Sequence, residues 1–589
     1  MDQLWEPLRP GRESRAPSFT GSWLGRRSID FPRPEDSEDD EDRAARDAAW
    51  RGRHTLKVHG GALVVGVAAG CMATCYNLLL RNMIRFLWVW TPRKLGDDTP
   101  WWYAIAVCAA TGAVVSVLSE CMPPTSNVDE WIDSVHRPLR APSPTTANFW
   151  PMIVLTTITA AGGISVGPEA PMVTLGGIMG ATFARLAWGR TDAHAIRVMS
   201  LAGGGAALSA FFSMPLAGAI FALETPHDGV SGMQYFEALS PAAVASVAAL
   251  FTRCVMLGEP LRGKYVYELA AASSPLVDLG MALAAGVAGG LMATAMTALF
   301  RRVKFGGLAI VAWAGRSARP APEEPPAPHG SGWCKQDDDG ARSARRREMA
   351  ARLALRVATG ALIGMLGVYF PHSLFWGDEQ LQSIIDDGQT PLKWLWRSSA
   401  LDRLAVTPTK GVHISHLGAL GLAVAKVCAI ALSLGGGFPG GIIYPLFVVG
   451  AATARAAQRL VAHSRSPAMT MCMMAATQAA VTRTPISTAL ILIVTARSFG
   501  GLRAERLHEV AVMPVIFPLL VISVVMAMVV SNAITPNRYY ERQRQRVGIK
   551  LLFAPGEPQQ TDRASRESRD ADDLSQYAGA YPGSRAGDC

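Results

Sequence analysis

The chain has 589 residues, of which 50% are hydrophobic and 17% are charged, and its mean hydropathy is +0.20. A soluble multidomain enzyme of this length is more polar, so the composition excludes that class and indicates a polytopic membrane protein. The formal net charge of +9 comes without a basic stripe interleaved with aromatic residues. We therefore interpret the basic residues as an indication of how the chain is oriented in the membrane, and we expect no nucleic-acid partner.

Polar segments divide the chain into five parts. Residues 1–56 are rich in Arg and Pro and include the acidic run EDSEDDED, a composition typical of a disordered N-terminal tail. The first membrane half follows at 57–314, and a polar, Pro-rich linker at 315–349 separates it from the second membrane half at 350–550. Residues 551–589 are again polar, and we predict a disordered C-terminal tail.

Runs with few or no charges fill both halves. Several of them reach the ~20 residues that cross a bilayer. Others are short and broken by Gly or Pro, so we expect some helices to end partway through the membrane. The runs lie at roughly 58–80, 101–119, 149–168, 170–184, 198–223, 238–252, 279–300, 357–371, 427–454, 466–482, 484–496 and 510–537. The pattern predicts an all-α, multi-pass integral membrane protein.

The two halves carry the same succession of landmarks. The first half contains GPEAP and then PLAGAIFALET, and the second half contains GIIYP and then PISTALILIVT. Pro445 follows Pro171 by 274 residues, and Pro485 follows Pro215 by 270. This near-constant offset predicts an internal repeat. Repeats whose apolar segments are interrupted at matching positions are typical of transporters with a binding site at the midplane of the membrane.

Helices that begin inside a membrane determine what such a site binds. Their unpaired N–H groups and positive dipole ends point at whatever occupies the gap. The sequence has no phosphate-type loop or nucleotide motif, so the simplest ligand is a small dehydrated anion held by backbone amides. For the second-half segment, a Gly-rich packing helix is the alternative.

Three segments, GPEAPMV, FSMPLAGAIFALE and GGGFPGGIIYPLFVVGAA, resemble the signature segments of the CLC family of voltage-gated chloride channels and chloride/proton exchangers. The resemblance extends over roughly residues 57–550. It implies a CLC-type inverted repeat of tilted, partly broken helices. It also implies chloride as the permeating ion, no cofactor or metal, and a homodimer in contact with membrane lipid. Residues 541–589 are too few for paired CBS domains, so no CBS-domain nucleotide binding is expected.

The first-half match concerns the family motif G-[K/R]-E-G-P. Here the motif reads Gly167, Pro168, Glu169, Ala170 and Pro171. The resemblance implies that Glu169 is the gating glutamate, which occupies an anion site when ionised and leaves it when protonated or displaced. Pro168 replaces a basic residue and donates no N–H, so the amides of Glu169 and Ala170 remain as donors. The alternative is that Glu169 is an acid that stabilises its own helix start.

The remaining anion ligands follow from the same resemblance. Gly441, Ile442, Ile443, Tyr444 and Pro445 match the G-x-F-x-P region, which implies that the Ile442 and Ile443 amides bind the anion.

Two further matches supply hydroxyl ligands. Ser126 lies in TSNVD, a poor match to G-S-G-I-P that lacks the flanking glycines and the proline. Tyr540 in NRYYERQ matches the family's anion-binding tyrosine. Tyr539 is the alternative match, and an aromatic residue at the membrane interface is the alternative role.

The coupling mode depends on one position. Family exchangers carry an inner, proton-relaying glutamate, and the alignment on PLAG gives Thr225 at that position, beside Glu224. A Thr hydroxyl does not ionise at neutral pH and cannot relay a proton, so we predict a gated chloride channel. A chloride/proton antiporter is the first alternative, and a non-transporting membrane scaffold is the second. We read Glu224 as a helix-end acid. No membrane-embedded Ser/His/Asp set or H-E-x-x-H motif is present, so we do not expect an enzyme.

Overall fold

The computed structural model of the chain describes the following residues: 34–96, 100–123, 128–136, 146–189, 191–225, 232–259, 264–267, 275–316, 333–392, 406, 413–458, 467–498 and 512–534. Residues 34–58 contribute the start of the first helix and belong to a separate unit. Apart from the start of the first helix, the elements given below belong to the unit that begins at His59.

In the described residues of the first half, the regular elements are helices apart from one short strand. A π-helical stretch, Phe86–Trp90, separates α1 from α2, and a 3₁₀ turn at Thr146–Asn148 precedes α5. The elements are α1 (Pro34–Arg85), α2 (Thr91–Leu95), α3 (Tyr103–Cys121), α4 (Val128–His136), α5 (Phe149–Ala161), α6 (Glu169–Ala187), α7 (Ala193–Phe212), α8 (Ala217–Glu224), α9 (Gly232–Leu257), β1 (Tyr265–Tyr267) and α10 (Pro275–Arg316).

The second half has the same character. A 3₁₀ turn at Pro371–Ser373 precedes α12, and a short strand follows α16. The elements are α11 (Trp333–Tyr369), α12 (Asp378–Ile385), α13 (His416–Gly435), α14 (Ile443–Ala457), α15 (Pro467–Thr482), α16 (Pro485–Thr495), β2 (Ala496–Ser498) and α17 (Val512–Ile534). β1 and β2 pair in parallel, with Tyr265 opposite Ala496.

Long apolar helices confirm the prediction of a multi-pass membrane protein. Within the described ranges, eight helical segments are long and apolar enough to cross a membrane. Three shorter apolar helices are α5, α14 and α16, as the interrupted runs predict. The eight segments are Thr55–Leu95, Tyr103–Cys121, Ala193–Phe212, Glu237–Leu257, Leu276–Gly315, Arg342–Tyr369, His416–Gly435 and Ile516–Ile534.

Glycines allow the helices next to the repeat landmarks to pack closely. A Cβ atom added at Gly176 in α6 would lie 2.1 Å from the carbonyl oxygen of Gly203 in α7. In the second half, a Cβ atom at Gly450 in α14 would lie 2.6 Å from the Cα atom of Met474 in α15. Small residues permit such contact between backbones within a membrane. The pair α6 and α7 and the pair α14 and α15 therefore have corresponding packing.

Two segments differ from the predicted boundaries. Helix α1 begins at Pro34, inside the predicted tail, and α11 begins at Trp333, inside the predicted linker. Both stretches contain Ala, Arg and Glu, which favour helix even where little apolar surface can be buried. The parts of the predicted tails and linker that lie outside the described residues are 1–33, 317–332 and 551–589.

Candidate functional site

The GPEAP and GIIYP segments meet in the interior of the molecule. The amide of Gly167 donates a hydrogen bond to the carbonyl oxygen of Gly441 at 2.8 Å, and the amide of Gly441 donates to that of Gly167 at 2.5 Å. These reciprocal bonds form an isolated antiparallel bridge. The convergence that the repeat predicts is therefore present, and it joins two segments that are 274 residues apart in the sequence.

Helices α6 and α14 begin just after this bridge. The first helical hydrogen bond of α6 runs from Met172 N to Pro168 O at 2.9 Å, and that of α14 runs from Leu446 N to Ile442 O at 3.0 Å. The amides of the preceding residues lie outside the helical hydrogen-bond ladder. They include those of Ala170, Ile442 and Ile443, the predicted anion donors. Pro171 and Pro445 each lie in the first turn, where Pro costs no helical hydrogen bond.

The Glu169 carboxylate lies between the two helix starts. Its side chain is buried, with 1% of the residue exposed. Oε1 accepts a hydrogen bond from the amide of Tyr444 at 3.0 Å, whereas Oε2 has no hydrogen-bond partner among the described residues. An ionised carboxylate at membrane depth costs at least about 2.5 kcal/mol without compensation. The first turn of α14, from the other half, supplies part of that compensation.

Glycine leaves room for the Glu169 carboxylate at both bridge positions. A Cβ atom at Gly167 would lie 2.1 Å from Glu169 Oε2, and one at Gly441 would lie 2.5 Å from the same atom. The Gly441 position also lies next to the Ala170 amide, at 2.8 Å from that Cβ atom. The two glycines thus leave space for one negatively charged group near amides of both halves.

Aromatic and charged groups surround the site. Phe212 at the end of α7 stacks on the Tyr444 ring, with centroids 4.6 Å apart and planes 20° from parallel. Lys426 in α13 and Asp378 at the start of α12 both interact electrostatically with Glu169. The carboxylate is therefore buried beside aromatic rings, and one basic and one acidic side chain act on it.

The predicted inner position has a different environment. Thr225 is buried, and its hydroxyl donates to the carbonyl oxygen of Phe221 at 2.7 Å. Glu224 beside it accepts hydrogen bonds from the amides of Ile486 at 2.9 Å and Ser487 at 3.0 Å and from the Ser487 hydroxyl at 2.6 Å. Glu224 therefore caps the start of α16, a helix of the other half.

Some predicted ligands cannot be located. Ser126 and Tyr540, with its alternative Tyr539, lie outside the described residues, and their roles stay predictions. Two groups that act on Glu169, the Tyr444 amide and Lys426, are not among the site residues predicted from the sequence. Tyr444 directly precedes the proline of GIIYP, where an unpaired amide is expected. Lys426 is the only charged residue between His416 and Arg455, and the predicted apolar run starts immediately after it.

The arrangement holds a negative charge by hydrogen bonding to backbone amides. Such amides can donate hydrogen bonds either to a carboxylate oxygen or to a halide, because both are anionic hydrogen-bond acceptors. A carboxylate that reaches the amides of the other half can therefore compete with a diffusible anion for the same position. Protonation of Glu169 would remove its advantage in this competition.

The chain matches one protein-family model and is similar to curated ion-transport proteins. The family model described as "Voltage gated chloride channel" matches residues 111–308 and 340–531. YfeO of Salmonella choleraesuis (strain SC-B67), named as an ion-transport protein, is 23% identical over 410 residues, which cover 68% of this chain and 80% of YfeO. YfeO of Salmonella schwarzengrund (strain CVM19633) is 26% identical over 205 residues, which cover 34% of this chain and 48% of that protein.

Three solved structures share the fold. A slow cyanobacterial Cl⁻/H⁺ antiporter has a TM-score of 0.61 at 17% identity, covering 83% of this chain and 97% of its own. A eukaryotic CLC transporter has a TM-score of 0.56 at 15% identity, covering 83% and 74%. A CLC-type fluoride/proton antiporter has a TM-score of 0.55 at 17% identity, covering 83% and 98%.

Proposed function

Because the chain belongs to the voltage gated chloride channel family, we propose that it conducts chloride across a membrane along a pathway gated by Glu169. The observation that carries the proposal is the hydrogen bond from the Tyr444 amide to the Glu169 carboxylate. That bond holds a side chain of one half on the helix start of the other half. A chloride ion that takes the place of the carboxylate would meet the same amide.

The proposed ligands are mainly backbone groups. The amides of Ala170, Ile442 and Ile443 belong to the first turns that flank the Gly167–Gly441 bridge. We include the hydroxyls of Ser126 and Tyr540 on the basis of the family resemblance. Since backbone amides carry no net charge, they bind a monovalent anion without trapping it, which suits rapid permeation.

We propose that conduction is passive. The hydroxyl of Thr225, at the position of the exchangers' inner glutamate, donates to a carbonyl oxygen of its own helix and does not ionise at neutral pH. The adjacent Glu224 accepts three hydrogen bonds from α16. These contacts favour a structural role for Glu224 over proton relay.

Chloride/proton antiport is the second candidate. Two of the similar structures are described as proton antiporters, and Glu224 is a buried acid next to the inner position. Proton transfer through Glu224 would require its carboxylate to release at least one of the α16 donors.

Chloride flux from proteoliposomes tests the proposal. The purified protein is reconstituted with internal chloride, a potassium ionophore is added, and chloride release is recorded with an electrode. We expect flux above that of empty vesicles and a reversal potential that does not shift with a pH gradient. A shift with the proton gradient would establish antiport, and an absence of flux would leave the membrane-scaffold alternative.

We also propose a homodimer with one anion pathway in each chain. The family resemblance supports this assembly. Membrane lipid would cover the remaining apolar helix faces, on which exposed side chains such as Leu63, Val117 and Val255 lie.

A further inference from the structure

Lys426 is a fully buried cation in the middle of α13. None of its surface is exposed, and its side-chain nitrogen donates to three carbonyl oxygens, those of Ser373 at 3.0 Å, Phe375 at 2.6 Å and Leu374 at 3.5 Å. A buried ammonium group is costly unless hydrogen bonds or an opposite charge compensate for lost hydration. The three carbonyls supply hydrogen bonds but no neutralising charge.

Of the other buried cations in the described part of the chain, Arg483 donates hydrogen bonds to the neutral side chains of Asn532 and Ser531, whereas two are paired with carboxylates. Arg253 lies 3.6 Å from the Glu259 carboxylate, and Arg455 forms an ion pair with Asp387. Lys426 forms no ion pair with a carboxylate among the described residues. When its amine is protonated, the positive charge of Lys426 therefore acts on its surroundings without being cancelled at contact distance.

The carbonyls that Lys426 binds belong to a segment that reaches the candidate site. Phe375 has a φ of +56°, an uncommon conformation for a residue with a side chain. Its amide donates to the carbonyl oxygen of Gly163 at 3.1 Å, in the turn that leads to the GPEAP segment. Lys426 therefore connects α13, the 373–375 segment and the first-half approach to Glu169.

The Lys426 charge also acts directly on the gate. The Lys426 side chain is close enough to Glu169 for the two groups to interact electrostatically. The residues on either side of Glu169, Pro168 and Ala170, are uncharged. The GPEAP segment itself therefore supplies no positive side chain, and the basic side chain of Lys426 lies on another helix.

We propose that Lys426 supplies the positive charge that keeps one negative charge in the site, whether the Glu169 carboxylate or a permeating anion. This inference rests on the proposed anion conduction. Lys426 is a positioning residue, since it acts through the field at the site and through the 373–375 segment. When Glu169 leaves, the uncancelled cation favours entry of a small monovalent anion in its place.

Two substitutions separate charge from hydrogen bonding. Lys426→Gln removes the charge but keeps a donor for the carbonyls, whereas Lys426→Arg keeps both. The matched control is Arg455→Gln, which removes a buried cation from the last turn of α14. Variants that elute as one species in detergent are compared at equal protein concentration.

Chloride affinity is the first measurement. In the Glu169→Gln background, isothermal titration with chloride in a gluconate buffer reports binding without competition from the carboxylate. We expect Lys426→Gln to weaken binding by about tenfold, as loss of one nearby buried charge implies. We expect Lys426→Arg and Arg455→Gln to stay within about twofold of the parent.

The pH profile of chloride flux is the second measurement. With Glu169 present, Lys426→Gln should raise the pH of half-maximal flux by about one unit, because the ionised gate loses its attractive charge. The other groups that act on Glu169 from its neighbours are Tyr76 of α1, Asp378 of α12 and Tyr444 of α14, and all remain in place. Lys426→Arg should keep the wild-type profile.

The outcomes distinguish this inference from the proposed function. A chloride affinity and a pH profile that are the same for Lys426→Gln and the parent would overturn the inference alone. Equal losses in Lys426→Gln and Lys426→Arg would also overturn it, because they would indicate packing rather than charge. No chloride binding by the Glu169→Gln parent, together with no flux by the wild type, would overturn both.

Discussion

The carboxylate of Glu169 has one oxygen bonded to the Tyr444 amide and one without a hydrogen-bond partner in the described part of the structure. A buried oxygen that lacks a donor costs about 1–3 kcal/mol or more when charged. The side chain is therefore held in place but incompletely satisfied. This balance suits a group that must both occupy a site and leave it.

The first prediction concerns the charge of this gate. Glu169→Gln should make chloride flux independent of pH between about 4 and 8, because the amide does not titrate and mimics the protonated gate. Flux is measured in proteoliposomes across that range. Glu120→Gln is the control, since Glu120 is a partly exposed acid paired with Arg352. A pH profile that Glu169→Gln leaves unchanged would remove Glu169 from the gate.

The second prediction tests the space around the carboxylate. The three nearest heavy atoms to a Cβ atom at Gly167 all belong to the Glu169 carboxyl group. Gly167→Ala should therefore destabilise the protein by about 1–3 kcal/mol through overpacking. In the Glu169→Ala background the same change should cost less than about 0.5 kcal/mol. Thermal unfolding of the four proteins in the cycle measures the coupling, and additive effects would contradict the contact.

Helix α16 illustrates how elements of the two halves depend on each other. It begins at Pro485, and the Glu224 carboxylate at the end of α8 accepts hydrogen bonds from the first-turn amides of Ile486 and Ser487. A negative charge is favourable at a helix start. The end of one broken helix therefore stabilises the start of its counterpart from the other half.

The third prediction follows from this cap. Glu224→Ala should lower the free energy of unfolding by about 3 kcal/mol, since it removes charge-assisted hydrogen bonds and leaves buried donors unpaired. Thr225→Val should cost much less, because the Thr225 hydroxyl bonds only within its own helix. Thermal unfolding in detergent compares the two. Loss of proton-driven chloride uptake in Glu224→Gln, with unchanged stability, would instead identify Glu224 as a proton carrier.

At the scale of the whole molecule, the two halves contact each other in several places. The Gly167–Gly441 bridge joins them at the candidate site, and Glu224 joins α8 to α16. The strand pair at Tyr265 and Ala496 joins them again. Neither half can complete the site by itself, because the carboxylate and the Tyr444 amide that binds it come from different halves.

The fourth prediction concerns assembly. A homodimer requires that the detergent-corrected protein mass be about twice the 62.8 kDa of one chain. Multi-angle light scattering after size exclusion measures this mass. Crosslinking in the native membrane is the control for dissociation in detergent. A single-chain mass in both experiments would exclude the proposed dimer.

Sequence patterns predicted most of the fold. Apolar runs predicted the membrane helices, and Gly and Pro interruptions predicted the short helices α14 and α16. The matching offsets of Pro171 with Pro445 and of Pro215 with Pro485 predicted a repeat. These features are local or periodic, so they depend on residue type and spacing alone. The helical stretches that start at Pro34 and Trp333 were not predicted, because these polar segments lack the apolar runs that indicate a membrane helix.

The sequence by itself determined that this is a multi-pass helical membrane protein with two related halves and an acid at a helix start. Only the tertiary structure decided which donor the acid meets, that Glu224 caps α16, and that Lys426 is buried on carbonyl oxygens. Those contacts join residues that are far apart in the chain, and no local pattern specifies them. They form because a buried polar group is costly without a partner inside the fold, where water and lipid supply none.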